Sequence, residues 1–341
     1  MRNFRRVVGG AVLIALFVVA CSPGAGSQSP SPAATPSVAP TQQASVAPTT
    51  TPAAATLAST LIFGGPPECP QRPFCLIGLE ETYGLHFKEF KPLDTGGPIT
   101  VEALANDEIQ VAVLFTSDPT IVARDFVILE DDLRLQRADN LVPVLHAQLI
   151  ADFPLVAELL DAVSANLSQD ALIELNRQST EDHTDPADIA TGWLTSEGLL
   201  DLAEPGDGTL APAITVGKTN FYEQDILSEL YAQILEAADF RVDRQDASGT
   251  REVVFPALES GEIDILPEYA ASVLEYANGG AGEASADPTE TVELLRAALE
   301  PRGLTALDAA DASNQNAIVV TRAVADEHGL VKISDLNKPT P

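Results

Sequence analysis

The chain has 341 residues, with 19 Lys and Arg against 50 Asp and Glu, for a formal net charge of −31. An acidic excess of this size argues against nucleic-acid phosphates or a polybasic membrane patch as the basis of function, since both need clustered positive charge. The acids are spread along the chain rather than gathered in one run, as on a solvated acidic exterior.

The N-terminus is basic (MRNFRR), then apolar over residues 7–20, and Cys21 follows Ala20. That order is the order of a secretory leader. Ala20 before Cys21 resembles a bacterial lipobox, which implies cleavage before Cys21 and lipid on its sulfur; an ordinary leader or an anchor helix is the alternative. Removing the leader removes three arginines and leaves 16 − 50 = −34. Residues 22–58 contain no charged residue and consist mainly of Ser, Pro, Ala, Thr and Gln. Such a segment lacks the apolar bulk for a core and reads as an extended tether. Leader, lipid and tether place the folded part on the extracytoplasmic face of the cell membrane. No later run reaches the ~18 apolar residues of a spanning helix.

The remaining chain is long enough for one large domain or two lobes. Its first feature is ECPQRPFC, with Cys69 and Cys75 flanking two prolines. In an exported protein this close pair reads as a local disulfide. A redox or metal pair is the alternative, without a CxxC spacing or a nearby histidine to support it.

An internal echo follows. ALANDEIQVAVLF (residues 103–115) and ALESGEIDILPEY (residues 257–269) both run Ala-Leu, three residues, Glu-Ile, then an apolar strand ending in an aromatic. Each is preceded by a strand and a glycine turn, so the same β-turn-α-β unit occurs twice, as in two similar α/β lobes. Ligands of open α/β sheets sit beyond the carboxyl ends of strands, which turns Phe115 and Tyr269 toward a shared cleft. The two glycine turns are placed to offer backbone N–H groups to an anion. LEDD, residues 129–132, lacks the alternating oxygens and the glycine of a calcium loop.

No GxSxG, P-loop, GxGxxG or HExxH occurs. His86, His146, His183 and His328 are isolated, with no spacing for a metal. No catalytic residue, metal or cofactor is assigned. The segment AITVGKTNFYEQ, residues 213–224, reads like the opening of a mature domain, although it lies past the middle of the chain behind a Pro- and Gly-containing loop, residues 201–212.

ITVGKTNFYEQDILSELYAQILEAADFRVDR, SGTREVVFPALESGEIDILPEY, NQNAIVVTRAVADEHGLVKISDL, GGPPECPQRPFCLIGLEETYG and ADNLVPVL resemble the substrate-binding proteins of glycine betaine/choline/carnitine ABC transporters, over nearly all of residues 61–336. The resemblance implies an α/β, two-lobed periplasmic-binding-protein-like (type II) fold, with a hinge and an inter-lobe cleft that closes on a small quaternary ammonium solute. It also implies delivery to an ABC permease powered by a separate ATPase; because both lobes come from one polypeptide, the mature chain is expected to be a monomer. In that family the segment like residues 214–336 comes first and the one like residues 61–200 follows. Here the order is exchanged, which reads as a circular permutation, with a fusion of halves that pair with other chains as the alternative. Residues 201–212 then join the family's usual ends. One lobe combines residues 144–200 with 213–316, the other residues 59–143 with 317–341. Crossing strands are expected near NAIVVT and LVPVL.

The resemblance also implies an aromatic cage for a trimethylammonium head, held by attraction between a diffuse cation and π faces. Tyr269 matches one cage position and Phe115 another, where Tyr is usual. Phe221, Thr219 and Asn220 lie in the opening motif, and Ser272 is at a polar contact position. Thr219 stands where a lysine is common, with Lys218 one place earlier. GGPITVE lacks the expected arginine at a helix start, and a further aromatic is replaced within RADNL. These departures weaken the case for a carboxylate clamp and leave choline or another cationic solute open. A hydrolytic cleft or a ligand-sensing module without a permease are the rival functions.

Overall fold

The computed structural model describes residues 55–202, 211–245 and 249–339. The leader, Cys21, residues 22–54 of the expected tether and residues 203–210 of the connector lie outside them; the described end of that segment is not tether, because Leu57 and Ala58 are buried in the core of the first sheet and Leu57 N donates to Lys338 O at 2.8 Å.

Ten strands among the described residues form two five-stranded sheets. In chain order they are β1 (Ile62–Gly65), β2 (Glu89–Pro92), β3 (Val111–Phe115), β4 (Phe126–Ile128), β5 (Leu141–His146), β6 (Ile214–Val216), β7 (Val242–Arg244), β8 (Ile265–Tyr269), β9 (Leu304–Ala306) and β10 (Asn316–Thr321). The first sheet has the order β2-β1-β3-β10-β4 and the second β7-β6-β8-β5-β9. Directions match as well. In the first sheet β1 is parallel to β2 and β3, while β10 is antiparallel to β3 and β4. In the second β6 is parallel to β7 and β8, while β5 is antiparallel to β8 and β9. Each half of the chain thus builds four strands of one sheet and sends its fifth into the other. The echo noticed in the sequence is the third strand of each sheet with its preceding helix: Pro98–Ala105 before β3 and Arg251–Ser260 before β8.

Strand alternation sorts the core onto both faces of each sheet. In β5, Leu141 and Leu145 join the cluster under helices Pro154–Asn166 and Gln224–Ala237, whereas Val142 and Val144 join the one under Arg251–Ser260 and Pro288–Leu299. In the first sheet Val111 and Val113 pack with Cys69, Cys75, Ile333 and Leu336, and Ala112 and Leu114 pack on the other face with Val101 and Leu104. The C-terminal segment therefore packs with the disulfide Cys69–Cys75.

Two prolines sit in central strands of the second sheet, Pro143 opposite Pro267. The backbone bonds Ala270 N to Asn140 O and His146 N to Asp264 O put the even-numbered residues of β5 at the hydrogen-bonded positions. The proline pair therefore falls at a non-hydrogen-bonded one, where the β5–β8 ladder needs no N–H from either.

The chain passes from the first sheet to the second just before β5, and back just before β10. The two passages run side by side: Asn140 bridges Ser313 in antiparallel register, and Asn314 N donates to Asp139 O at 3.1 Å. NAIVVT and LVPVL are themselves sheet strands, and the crossings are the residues that precede them. β5 lies wholly in the second sheet, so that sheet takes in residues 141–143.

Candidate ligand-binding site

A cavity of about 440 Å³ opens between the two sheets at the crossings, within the ~300–1,000 Å³ of small-molecule sites. The first sheet contributes Phe115, at the end of β3. The loop closed by the disulfide contributes Arg72 and Phe74. That loop rests on the helix Leu76–Tyr83, where a Cβ on Gly78 would lie 1.9 Å from the Pro73 carbonyl oxygen, so only glycine lets it approach. The second sheet contributes Tyr269 at the end of β8, with Phe221 and Ser272 beside it, and the crossings contribute Arg137, Asp139 and Asn314.

The rings form a continuous wall. Phe221 meets Phe115 edge-on at 5.7 Å and Tyr269 edge-on at 6.2 Å between centroids. Phe115 and Tyr269, both strand-end residues, are therefore joined through Phe221. Phe74 lies across the cavity lining, with the Arg137 guanidinium carbon 5.3 Å from its ring centroid.

Behind the wall is a buried polar network. The Tyr269 hydroxyl donates to Glu223 Oε1 at 2.6 Å. Asn314 Nδ2 donates to the same oxygen at 3.0 Å, and Asn176 Nδ2 donates to Glu223 Oε2 at 2.9 Å. Burial, then the charge of Glu223, push the Tyr269 phenol well above its ordinary range, which keeps it a neutral donor. A second buried carboxylate, Glu268, is held by Arg251 through two bonds of 2.8 and 2.7 Å. Asp139 accepts from Ser272 N at 2.8 Å and Ser272 Oγ at 2.6 Å, so a crossing strand caps the helix Ala270–Ala277. Burial pushes the Asp139 carboxyl up to about 6, against the lowering effect of those two bonds. Among the described residues no group of three or more His, Cys, Asp or Glu is arranged to hold a metal.

Four of the residues singled out in the sequence, Phe115, Phe221, Tyr269 and Ser272, line the cavity. Thr219 and Asn220 do not. The Thr219 N–H points to Gln224 Oε1 at 3.3 Å and the Asn220 N–H to Gly249 O at 3.0 Å, so this stretch is folded against its own lobe. The glycine turn before Pro98–Ala105 offers nothing to an anion, because the Asp94 carboxylate already takes the N–H groups of Ile99 and Thr100 at 3.0 and 2.8 Å. For the turn before Arg251–Ser260, residues 246–248 lie outside the described residues. Of LEDD, Asp131 accepts from Tyr83 and Asp132 from Ser334, a structural use for both acids. Phe74, Arg137, Asp139 and Glu223 were not singled out in the sequence. Two arginines, Arg72 from the disulfide-closed loop and Arg137 from a crossing, line the cavity.

Two sheets that carry an aromatic-walled cavity at their junction are the build of a solute-binding module. The chain matches the family of the substrate-binding domain of ABC-type glycine betaine transport systems over residues 36–196 and 212–341. The chain belongs to that family. It is 28% identical over 152 residues to a glycine-betaine-binding protein of Pseudomonas aeruginosa, covering 44% of this chain and 48% of that protein. It is 30% identical over 131 residues to the glycine betaine-binding protein YehZ of Escherichia coli, covering 38% and 42%. The chain thus spans about half the length of these curated relatives. Among solved structures, an ancestral arginine-binding protein bound to arginine overlays at TM-score 0.35 and 13% identity, covering 82% of this chain and 90% of that one. The L-cystine solute receptor of Neisseria gonorrhoeae in its unliganded open conformation overlays at 0.39 and 14%, covering 82% and 86%. These overlays are loose, and the family assignment rests on the sequence match. Among the described residues no helix is long and apolar enough to cross a membrane.

Proposed function

We propose that this protein captures a small quaternary ammonium solute between its two lobes and delivers it to an ABC permease, working by binding rather than catalysis. One observation carries the reading: the wall Phe115–Phe221–Tyr269, with rings from both sheets at 5.7 and 6.2 Å. A quaternary ammonium has no N–H to donate, so hydrogen-bond acceptors alone select it poorly, whereas π faces attract it at roughly 0.5–2 kcal/mol per contact. Arg72 and Arg137 line the same cavity and suit the carboxylate of a betaine-type ligand. Both curated relatives are named for glycine betaine, which agrees with a zwitterion. Lipid on Cys21 and a tether ending before Thr56 would hold the module at the outer face of the membrane. Calorimetric titration with choline, glycine betaine, carnitine and ectoine tests the ligand class. Saturable binding of choline, glycine betaine or carnitine, the three that carry a quaternary ammonium, is expected; folded protein that binds none of these three, or ectoine alone, overturns it.

We also propose that the chain is a circular permutant of its family. Because both sheets share one order and one set of directions, exchanging the halves leaves each sheet with the same strands. The family match in two segments and the single-block alignments to about half of each relative agree with an exchanged order. A chain opened within residues 201–212, with residue 336 linked to residue 60, should fold and bind alike. Loss of folding in that chain would count against the permutation.

A further inference from the structure

We infer that Glu223, one side chain behind the cavity wall, is the counter-charge for a cationic ligand and acts through the ring of Tyr269; this rests on the quaternary ammonium reading above. Two glutamates are fully buried beside this cavity, Glu223 and Glu268. Burying a carboxylate is costly unless it is paired. Glu268 has its pair in Arg251, through two hydrogen bonds. Glu223 has three donors, Tyr269 Oη, Asn314 Nδ2 and Asn176 Nδ2, and every one is neutral. Such a donor set suits an acceptor-only carboxylate. Yet among the described residues no Lys, Arg or His reaches Glu223 at ion-pair distance, and the cavity's Arg251 is committed to Glu268. The N-terminus of the helix Gln224–Ala237, which Glu223 caps, supplies only partial positive charge.

The missing positive charge has a place to arrive. Tyr269 and Asn314 line the cavity and both donate to Glu223, so a cation against the Tyr269 ring lies one residue from the carboxylate. The bond from phenol to carboxylate also raises electron density in the ring, which strengthens its negative face. Glu223 is therefore a positioning residue that selects for charge, whereas Phe115 and Phe221 select for shape and polarisability.

The experiment measures how well the protein tells a cation from a neutral molecule of the same shape. The probes are choline and its uncharged carbon isostere 3,3-dimethylbutan-1-ol, with affinities read by competition. In Glu223→Gln, choline should weaken roughly tenfold while the isostere stays within about twofold. Equal weakening of both probes, or none, overturns the inference and leaves Glu223 a merely structural residue. Should this variant not fold, the wild-type protein serves: the choline-to-isostere ratio should hold within about twofold between low and high salt, because a buried charge is poorly screened. A ratio that collapses with salt assigns the selection to the more exposed carboxylates and overturns the inference. Wild-type protein that binds none of choline, glycine betaine and carnitine overturns the ligand reading itself, a separate failure.

Discussion

The two lobes share a five-strand plan but divide the site unequally. The second holds Phe221, Tyr269, Glu223, Ser272 and the Arg251–Glu268 pair, with buried hydrogen bonds joining Tyr269 to Glu223 and part-buried ones holding Arg251 to Glu268. The first brings Phe115 and the disulfide-closed loop with Arg72 and Phe74. It touches the second through lighter links, such as Ser117 Oγ to Tyr222 Oη at 3.0 Å and Gln169 Nε2 to Thr116 O at 3.1 Å. A shared strand plan thus carries a charged, hydrogen-bonded floor on one side and an aromatic-bearing face on the other. Most of the binding energy is expected in the floor.

The largest effect should come from breaking the floor. Arg251→Met leaves Glu268 buried without its cation, and should cost about 3–5 kcal/mol in urea unfolding. A cost under about 1 kcal/mol would mean that the pair contributes little to the second lobe. On the first lobe, replacing Cys69 and Cys75 by Ala should cost about 2 kcal/mol, the value for so short a closed loop. Non-reducing mass spectrometry of the wild-type protein should find neither thiol free.

Binding should show the same asymmetry. Tyr269→Ala should weaken a quaternary ammonium ligand by roughly 1–2 kcal/mol, five- to thirty-fold, and Tyr269→Phe by less because the π face survives. Phe115→Ala should weaken it less than Tyr269→Ala does. The reverse order, measured by calorimetry, would move the floor to the first lobe.

The smallest effect is with pH. Asp139, with its carboxyl held at about 6 mainly by burial, faces Ser272, Arg251 and Glu268. Its folded value lies above the unfolded one of about 3.9. The stability tied to it is therefore fully present below about pH 4 and is lost as pH rises through about 6. Ligand binding runs the other way. Only the ionised form attracts a cation, so affinity for choline should rise modestly from pH 5 to pH 7. Asp139→Asn should flatten both slopes; an unchanged pH profile would remove Asp139 from the site.

Much of this plan is legible in the sequence because it is local or repeated. The echo of residues 103–115 and 257–269 marks the third strand of each sheet and its aromatic end, and so points to Phe115 and Tyr269 directly. The Cys69–Cys75 pair is legible from spacing and the exported context. What is not legible depends on distant partners. Arg137 and Asp139 sit in RADNL, which reads as a departure from a pattern until the crossing strand turns both into the cavity. Phe74 looks like a residue between two cysteines until the loop folds over. Glu223 lies next to the polar start of a helix, and only the approach of Tyr269, Asn314 and Asn176 from three other segments gives it a role. Thr219 and Asn220 are the opposite case: they adjoin Phe221 in the chain, but they do not line the cavity, and their N–H groups bond to the Gln224 side chain and to Gly249 O.

Equilibrium dialysis of the folded protein against radiolabelled choline, glycine betaine and carnitine tests the central claim most directly. One saturable site per chain, for at least one of the three, with binding reduced roughly five- to thirty-fold in Tyr269→Ala, is the expected result. Saturable binding that Tyr269→Ala leaves untouched, or no retention of any of the three, would contradict it.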